Sequence, residues 1–201
     1  MQYKPEAECL KDMLTDSIRM IIATRTFNAD ERSLMIDSMK VSPRSMVIAR
    51  DGIAVIVNPK APDSLFRMQD IREILTGRFK KNLIPVFDGL KATSTVRFII
   101  DSVLRGDSLT PAAMAARSSE GVIDYVSKNP GVVGFIGVSW IGNREDSTYT
   151  SFLKKVRVAF LQATDIPDSY VKAYQANIYL KRYPMVRDLV YILKENHRGL
   201  G

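Results

Sequence analysis

The chain has 201 residues, of which 46% are hydrophobic and 25% charged, and its formal net charge is +7. This length and composition are typical of one globular domain, or of two small lobes, with a buried core. A single cysteine and a single histidine exclude an internal disulfide and a cysteine-rich metal site, and leave almost no material for histidine catalysis. We therefore expect no enzyme, no metal and no cofactor, and the positive charge favours an anionic partner.

The basic residues are spread along the chain instead of forming one patch. Neighbouring lysines occur at 80–81 and 154–155, and no run of five basic residues exists. Only the net charge favours a nucleic-acid partner. The sequence has none of the aromatic and basic motifs of the usual nucleic-acid-binding modules, so we expect no such partner. No apolar stretch approaches the roughly 18 residues of a membrane span, so we expect no transmembrane segment.

The N-terminal part of the chain alternates between helical and strand-like patterns. Residues 5–18 have apolar side chains at helical spacing, and 19–25 have the apolar run of a short buried strand. Asn28 is a plausible N-cap for a helix over 29–40, which has acidic residues in its first turn. Residues 45–59 are rich in β-branched side chains and end in Asn-Pro, which predicts a strand.

The same alternation continues to the C-terminus. A helix is predicted over 68–77, with Gly77 just past its end. Another is predicted to start at the hydroxyl residues 93–95, and a third is capped by Ser118 or Ser119. Further strands are predicted at 83–88, 130–141, 152–161 and 183–193. Strands that alternate with helices predict an α/β protein with mostly parallel sheets.

Three hydroxyl side chains, Thr93, Ser94 and Thr95, come between the strand at 83–88 and the next helix. A helix N-terminus offers unpaired backbone N–H groups and a partial positive charge, and hydroxyls add donors that suit a tetrahedral oxyanion. The alternative is one capping residue with incidental neighbours. The spacing of a P-loop is absent, so a nucleotide-triphosphate enzyme is not expected.

Thr24 and Arg25 follow the first predicted strand in the same way. An arginine at the end of a strand can make a bidentate pair with a phosphate or a carboxylate group. The alternative is a surface ion pair with Asp30 or Glu31. The sequence leaves both possibilities open.

Several stretches together resemble the phosphate-binding protein of the phosphate ABC transporter, a PstS-like member of the type 2 periplasmic binding proteins. They are "DGIAVIVNP", "IREILTGRF", "IPVFDGLKATSTVRF", "NPGVVGFIGVSWI" and "RYPMVRDLVYIL", in the order of that family. The resemblance covers roughly residues 19 to 193. It implies an α/β, two-lobed type 2 periplasmic-binding-protein fold with crossing hinge strands.

The resemblance also implies an organisation and a function. Residues 1–52, with 181–201 returning to them, are expected to form a first lobe that is incomplete, and 53–180 a second lobe. The expected function is capture of phosphate or a similar small oxyanion in an interlobe cleft for import by an ABC transporter permease, without catalysis. This implies a periplasmic or cell-envelope location, although the N-terminus lacks the apolar core of a signal peptide.

The family's ligand motif, Ser-Gly-Thr, falls on Ala92, Thr93 and Ser94, with Thr95 next. Its other ligand segment falls on Thr24 and Arg25. The arginine usually found four residues before the motif is Asp88 here, which removes a positive donor. This departure keeps open an alternative function, a non-catalytic interaction or sensor domain of the same fold with a detuned or lost phosphate site.

Overall fold

The computed structural model describes residues 2, 4, 6–89, 93–141 and 152–194. The chain divides into two compact units. We call residues 1–50 and 187–201 the first unit, and residues 51–186 the second unit. Both divisions fall in long strands, the first within β2 (Arg44–Val57) and the second at the start of β10 (Val186–Leu193).

The first unit combines two helices with a small antiparallel sheet. Helix α1 spans Glu6–Leu14, strand β1 spans Met20–Ala23, and α2 spans Ala29–Ser33 with a π-helical stretch at Leu34–Ser38. β1 and β10 are antiparallel, with Ile22 opposite Tyr191. Its buried core consists of Leu10, Met13, Ile21, Ala23, Met35, Val190 and Ile192.

The start of α2 follows the sequence prediction closely. Glu31 N donates to Asn28 Oδ1 at 2.8 Å, and Asn28 N donates back to Glu31 Oε2 at 2.9 Å. This reciprocal capping box satisfies two of the backbone N–H groups that a helix leaves without an intrahelical partner. The predicted N-cap at Asn28 is therefore confirmed.

The second unit contains the larger sheet. Strand β4 (Ile84–Phe87) is parallel to both β5 (Met114–Ala115) and β6 (Val132–Gly137). β6 is antiparallel to the second half of β2, which also pairs with β7 (Arg157–Val158). A separate small sheet is formed by β3 (Leu65–Phe66), β8 (Phe160–Gln162) and β9 (Tyr170–Val171).

Helices follow the strands of this unit. They are α3 (Met68–Thr76), α4 (Ser94–Phe98) with a π-helical stretch at Ile99–Leu104, α5 (Ser119–Lys128) and α6 (Gln175–Tyr179). Gly77 ends α3 in the left-handed region with φ of 75°, as its position after the last turn predicts. Within the described residues, no helix is long and apolar enough to cross a membrane.

Gly134 brings α5 close to the sheet. A Cβ atom at this position would lie 2.7 Å from a side-chain carbon of Ile56, 2.8 Å from one of Val122 and 2.9 Å from one of Val126. Such distances are shorter than real carbon contacts, so a side chain here would push helix and strand apart. The glycine in this strand therefore has a packing role.

The prediction of mostly parallel sheets is wrong. β1 with β10, β2 with β6 and with β7, and β8 with β9 are all antiparallel. Parallel neighbours need a crossover connection such as a helix, and β4, β5 and β6 have one in α4 and in α5. β2 is not part of this series of strands joined by helices, so the crossover rule does not require it to be parallel to β6.

The predicted strand at 152–161 also needs correction. Residues 152–155 are helical, and only the short strands β7 and β8 follow. A short apolar run does not distinguish a buried strand from a buried helical turn, which explains the error.

Candidate functional site

The hydroxyl segment of the second unit lies at the carboxyl end of β4. After Phe87 the chain passes through Asp88 and then Gly89, whose φ of 133° is rarely adopted by residues with side chains. A Cβ atom at Gly89 would be 3.1 Å from the Thr93 methyl carbon, so the turn packs closely on the start of α4. Ala92, the first position of the implied ligand motif, lies outside the described residues.

The three hydroxyl residues occupy different environments. Thr93 is the N-cap of α4, because Val96 N donates to Thr93 Oγ1 at 3.3 Å. Ser94 is half-buried, and Thr95 is buried with only 3% of its surface exposed. One hydroxyl therefore caps the helix, as expected. The role of all three residues in ligand binding stays a prediction.

Asp88 connects this segment to a second helix start. Ser119 Oγ donates to Asp88 Oδ2 at 2.8 Å, and Ser118 caps α5 by accepting from Gly121 N at 3.2 Å. Because β4 and β5 are parallel neighbours, α4 and α5 begin at the same edge of the sheet. Asp88 Oδ1 is buried, and no residue in the described part of the chain donates a hydrogen bond to it.

Sequence reasoning did not identify Ser119 as a neighbour of Asp88. The two residues are 31 positions apart, so only the pairing of β4 with β5 brings them together. The signal available in the sequence was the pair of serines at the start of the helix. The sequence predicts these serines only as caps of the helix.

In the first unit, the donors of Thr24 and Arg25 contact carboxylates. Thr24 donates to Glu6 Oε1 from both N (2.6 Å) and Oγ1 (2.8 Å). Arg25 Nη1 and Nη2 donate to the two carboxylate oxygens of Glu31 at 2.6 and 2.8 Å. Of the two possibilities left open for Arg25, the ion pair with Glu31 is thus formed in this structure.

The geometry of the Arg25 pair shows what this segment can bind. Two parallel N–H···O bonds to one carboxylate are the arrangement with which arginine recognises planar or tetrahedral oxyanions. The same Glu31 carboxylate caps α2, so its position is fixed independently of Arg25. An anion that binds Arg25 must join or displace this carboxylate.

The described side chains at both segments are hydrogen-bond donors and carboxylates. Among the described residues, no group of three or more His, Cys, Asp and Glu side chains is placed to hold a metal ion. Hydroxyls, helix-start amides and a guanidinium group can bind an oxyanion without chemical change. The fold is α/β, and the donors at both segments are of the kind that can hold a small oxyanion.

The family follows from a comparison with family models. The model described as PBP superfamily domain matches residues 1–201, which is the whole chain. The chain therefore belongs to the PBP superfamily, and its fold is that of the type 2 periplasmic binding proteins. No curated protein sequence matches the chain.

Solved structures show the same fold at low sequence identity. An ABC-type phosphate transport receptor from Vibrio cholerae is 15% identical with a TM-score of 0.67, and the match covers 96% of this chain and 74% of that one. PstS from Borrelia burgdorferi is 14% identical with a TM-score of 0.63, and the same shares of the two chains are covered, 96% and 74%. A phosphate-binding protein from Stenotrophomonas maltophilia is 12% identical with a TM-score of 0.60, covering 94% and 70%.

Proposed function

We propose that this chain is an extracytoplasmic solute-binding protein that captures phosphate or a similar small oxyanion and presents it to an ABC transporter permease. It acts in the periplasm or at the cell envelope and performs no catalysis. The residues that we propose as ligand donors are Thr24, Arg25, Thr93, Ser94 and Thr95.

The observation that carries this proposal is the arrangement at the end of β4. Strand, glycine turn, hydroxyl residues and helix start follow one another, with Thr93 fixed as the cap of α4. At such a position an anion accepts from backbone N–H groups and from hydroxyls at once. The solved structures with the same fold are described as phosphate receptors and phosphate-binding proteins, which supports the choice of anion.

A second candidate function is a non-catalytic interaction or sensor domain with a detuned phosphate site. The observation that favours it is the number of carboxylates at the candidate segments. Glu6 and Glu31 accept hydrogen bonds from Thr24 and Arg25, and Asp88 lies beside the hydroxyl segment. Each negative charge close to an anion site weakens anion binding.

Calorimetric titration separates the two functions. Phosphate and sulfate are titrated into the protein at a low and a high salt concentration, with a long polyphosphate as a comparison for non-specific binding. We expect saturable binding of phosphate that salt weakens far less than binding of polyphosphate, because direct hydrogen bonds replace diffuse charge attraction. Absence of saturable binding of either small anion would contradict solute capture and favour the interaction domain.

A further inference from the structure

The first half of β2 is unusual among the strands of this protein. All seven residues from 44 to 50 are exposed, although three consecutive side chains are large and apolar. Met46, Val47 and Ile48 are 62%, 52% and 46% exposed. Successive side chains of a strand point to opposite faces, so apolar surface is open on both faces of this segment.

Among the described strands, none lies beside one edge of this segment. β10 neighbours β2 on one side. On the other edge, β6 pairs only with residues 53–57, whereas β7, which pairs with residues 56 and 57, lies on the same edge as β10. Within the described part of the chain, no strand covers that edge of residues 44–50. An exposed edge strand with apolar side chains is a template for pairing with a further strand.

The register shows which backbone groups point to the open edge. Ile53 N donates to Met185 O at 2.9 Å, so the N–H of residue 53 points toward β10. Arg50 Nε lies 3.6 Å from Asp188 Oδ1. In an antiparallel pair in which Ile53 is opposite Met185, Arg50 is opposite Asp188, so this ion pair agrees with that register. Backbone direction alternates along a strand, so the N–H groups of the even-numbered residues Met46 and Ile48 point to the open edge.

Charge narrows the kind of strand that fits. Residues 38–50 include Lys40, Arg44 and Arg50 and no acidic residue, and of these Arg50 contacts Asp188 on β10. A second copy of the chain, paired antiparallel about Val47, would place Arg44 opposite Arg50 of the other copy. Like charges directly opposite each other destabilise strand pairs, and opposite charges stabilise them.

We propose that residues 44–50 are a docking site for an extended segment of another protein, which adds as a strand to the open edge of β2. The segment has apolar side chains at its centre and aspartate or glutamate at its ends. The apolar centre covers Met46, Val47 and Ile48, and the acidic ends face Arg44 and Arg50. This interaction goes beyond oxyanion capture and does not depend on it.

The test uses two fluorescently labelled peptides and the full chain. Both peptides have a centre of alternating valine and threonine, and one is flanked by glutamates and the other by lysines. Fluorescence anisotropy should show tighter binding of the glutamate peptide. In the Arg44→Glu variant the preference should weaken by about threefold, because one charge pair becomes repulsive.

A pair of matched substitutions tests the backbone contribution. Met46→Thr and Met46→Pro both remove the methionine side chain, but only proline also removes the N–H that points to the open edge. An edge strand tolerates proline at such a position. Met46→Pro should bind the glutamate peptide roughly tenfold more weakly than Met46→Thr, because a ladder hydrogen bond is lost. Unchanged thermal midpoints without peptide show that both variants fold.

Three outcomes would overturn the proposal. The first is that the glutamate and lysine peptides bind equally well, or that neither peptide binds. The second is equal affinity of the Met46→Thr and Met46→Pro variants for the glutamate peptide. The third is self-association of the wild-type chain, seen by sedimentation and abolished by Met46→Pro, which would make a second copy the occupant of this edge.

Discussion

The two units of the molecule differ in how completely they are packed. Among the described residues, seven large hydrophobic side chains are exposed in each unit, although the second unit has about twice as many residues. The core of the first unit consists of two helices on one small sheet, whereas the second unit buries Phe66, Phe87 and Phe135 in a much larger cluster. Segments with few buried apolar contacts open more readily, so we expect the first unit to be the less stable.

The units also differ in the contacts that their candidate ligand residues make. In the first unit Thr24 and Arg25 already contact the carboxylates of Glu6 and Glu31. In the second unit a hydroxyl segment begins α4, and Asp88 is tied to Ser119 beside it. A ligand would therefore change the contacts of the first unit more than those of the second.

The largest expected effect is on anion binding through Arg25. Arg25→Ala should weaken phosphate binding by about 1.5–3 kcal/mol, the usual contribution of a hydrogen bond to a charged group. Calorimetric titration measures this loss. Thr95→Ala, at a residue that is already buried, should cost only about 1 kcal/mol, since the helix-start amides remain.

Glu31→Gln is the matched variant for Arg25. Glutamine keeps an acceptor for the capping box at Asn28 but removes the competing charge. Phosphate should then bind more tightly than to the wild type. A purely structural Arg25–Glu31 pair would instead lower the thermal midpoint of both Arg25→Ala and Glu31→Gln and leave the phosphate affinity unchanged.

The packing of the second unit can be tested at Gly134. Gly134→Ala should destabilise this unit by about 1–3 kcal/mol, because the new methyl group would overlap with Ile56, Val122 and Val126. Chemical denaturation measures the loss. Gly131→Ala is the control, since a Cβ there meets nothing within 4 Å. Equal stability of the two variants would show that α5 packs on β6 less tightly than described.

Substitutions of Thr93 and Ser94 at the start of α4 should affect folding stability and phosphate binding to different extents. Thr93→Ala should cost the second unit about 1 kcal/mol of folding free energy, because it removes the N-cap. Ser94→Ala should cost less stability but weaken phosphate binding by about 1 kcal/mol, through loss of one donor. Denaturation and calorimetry on the same two variants compare these effects. A larger loss of stability in Ser94→Ala than in Thr93→Ala would contradict this assignment of Thr93 as the cap and Ser94 as the ligand donor.

The smallest effect is a pH dependence of the first unit. A hydrogen bond from buried Lys194, together with its charge, lowers the pKa of Asp16. A lowered pKa in the folded state stabilises the fold above the unfolded pKa, and this contribution is lost as the pH falls through the folded value. The first unit should therefore lose stability below about pH 4. Thermal melts of Asp16→Asn should lack this part of the acid dependence.

Local signals explain the elements that the sequence predicted well. The N-cap at Asn28, the left-handed Gly77 and the cap at Ser118 depend on residues within four positions of each other. Hydrophobic periodicity also identified the strands at 84–87 and 132–137. Such features need no knowledge of which strands become neighbours.

Long-range contacts explain what the sequence did not predict. The antiparallel pairing of β2 with β6 and the contact of Ser119 with Asp88 both depend on the order of strands in the sheet. Thr24 is 18 positions from Glu6, so this hydrogen bond was not predicted either. Arg25 and Glu31 are only six positions apart, and their pairing was one of two alternatives that charge alone did not separate.

Hydrogen exchange with and without phosphate tests the central claim most directly. Without phosphate, residues 6–50 should exchange faster than residues 95–140, because the first unit is less completely packed. On addition of phosphate, protection should increase both at 20–32, around Thr24 and Arg25, and at 93–104, around the start of α4. Unchanged exchange of both segments at a saturating phosphate concentration would contradict oxyanion capture by this chain.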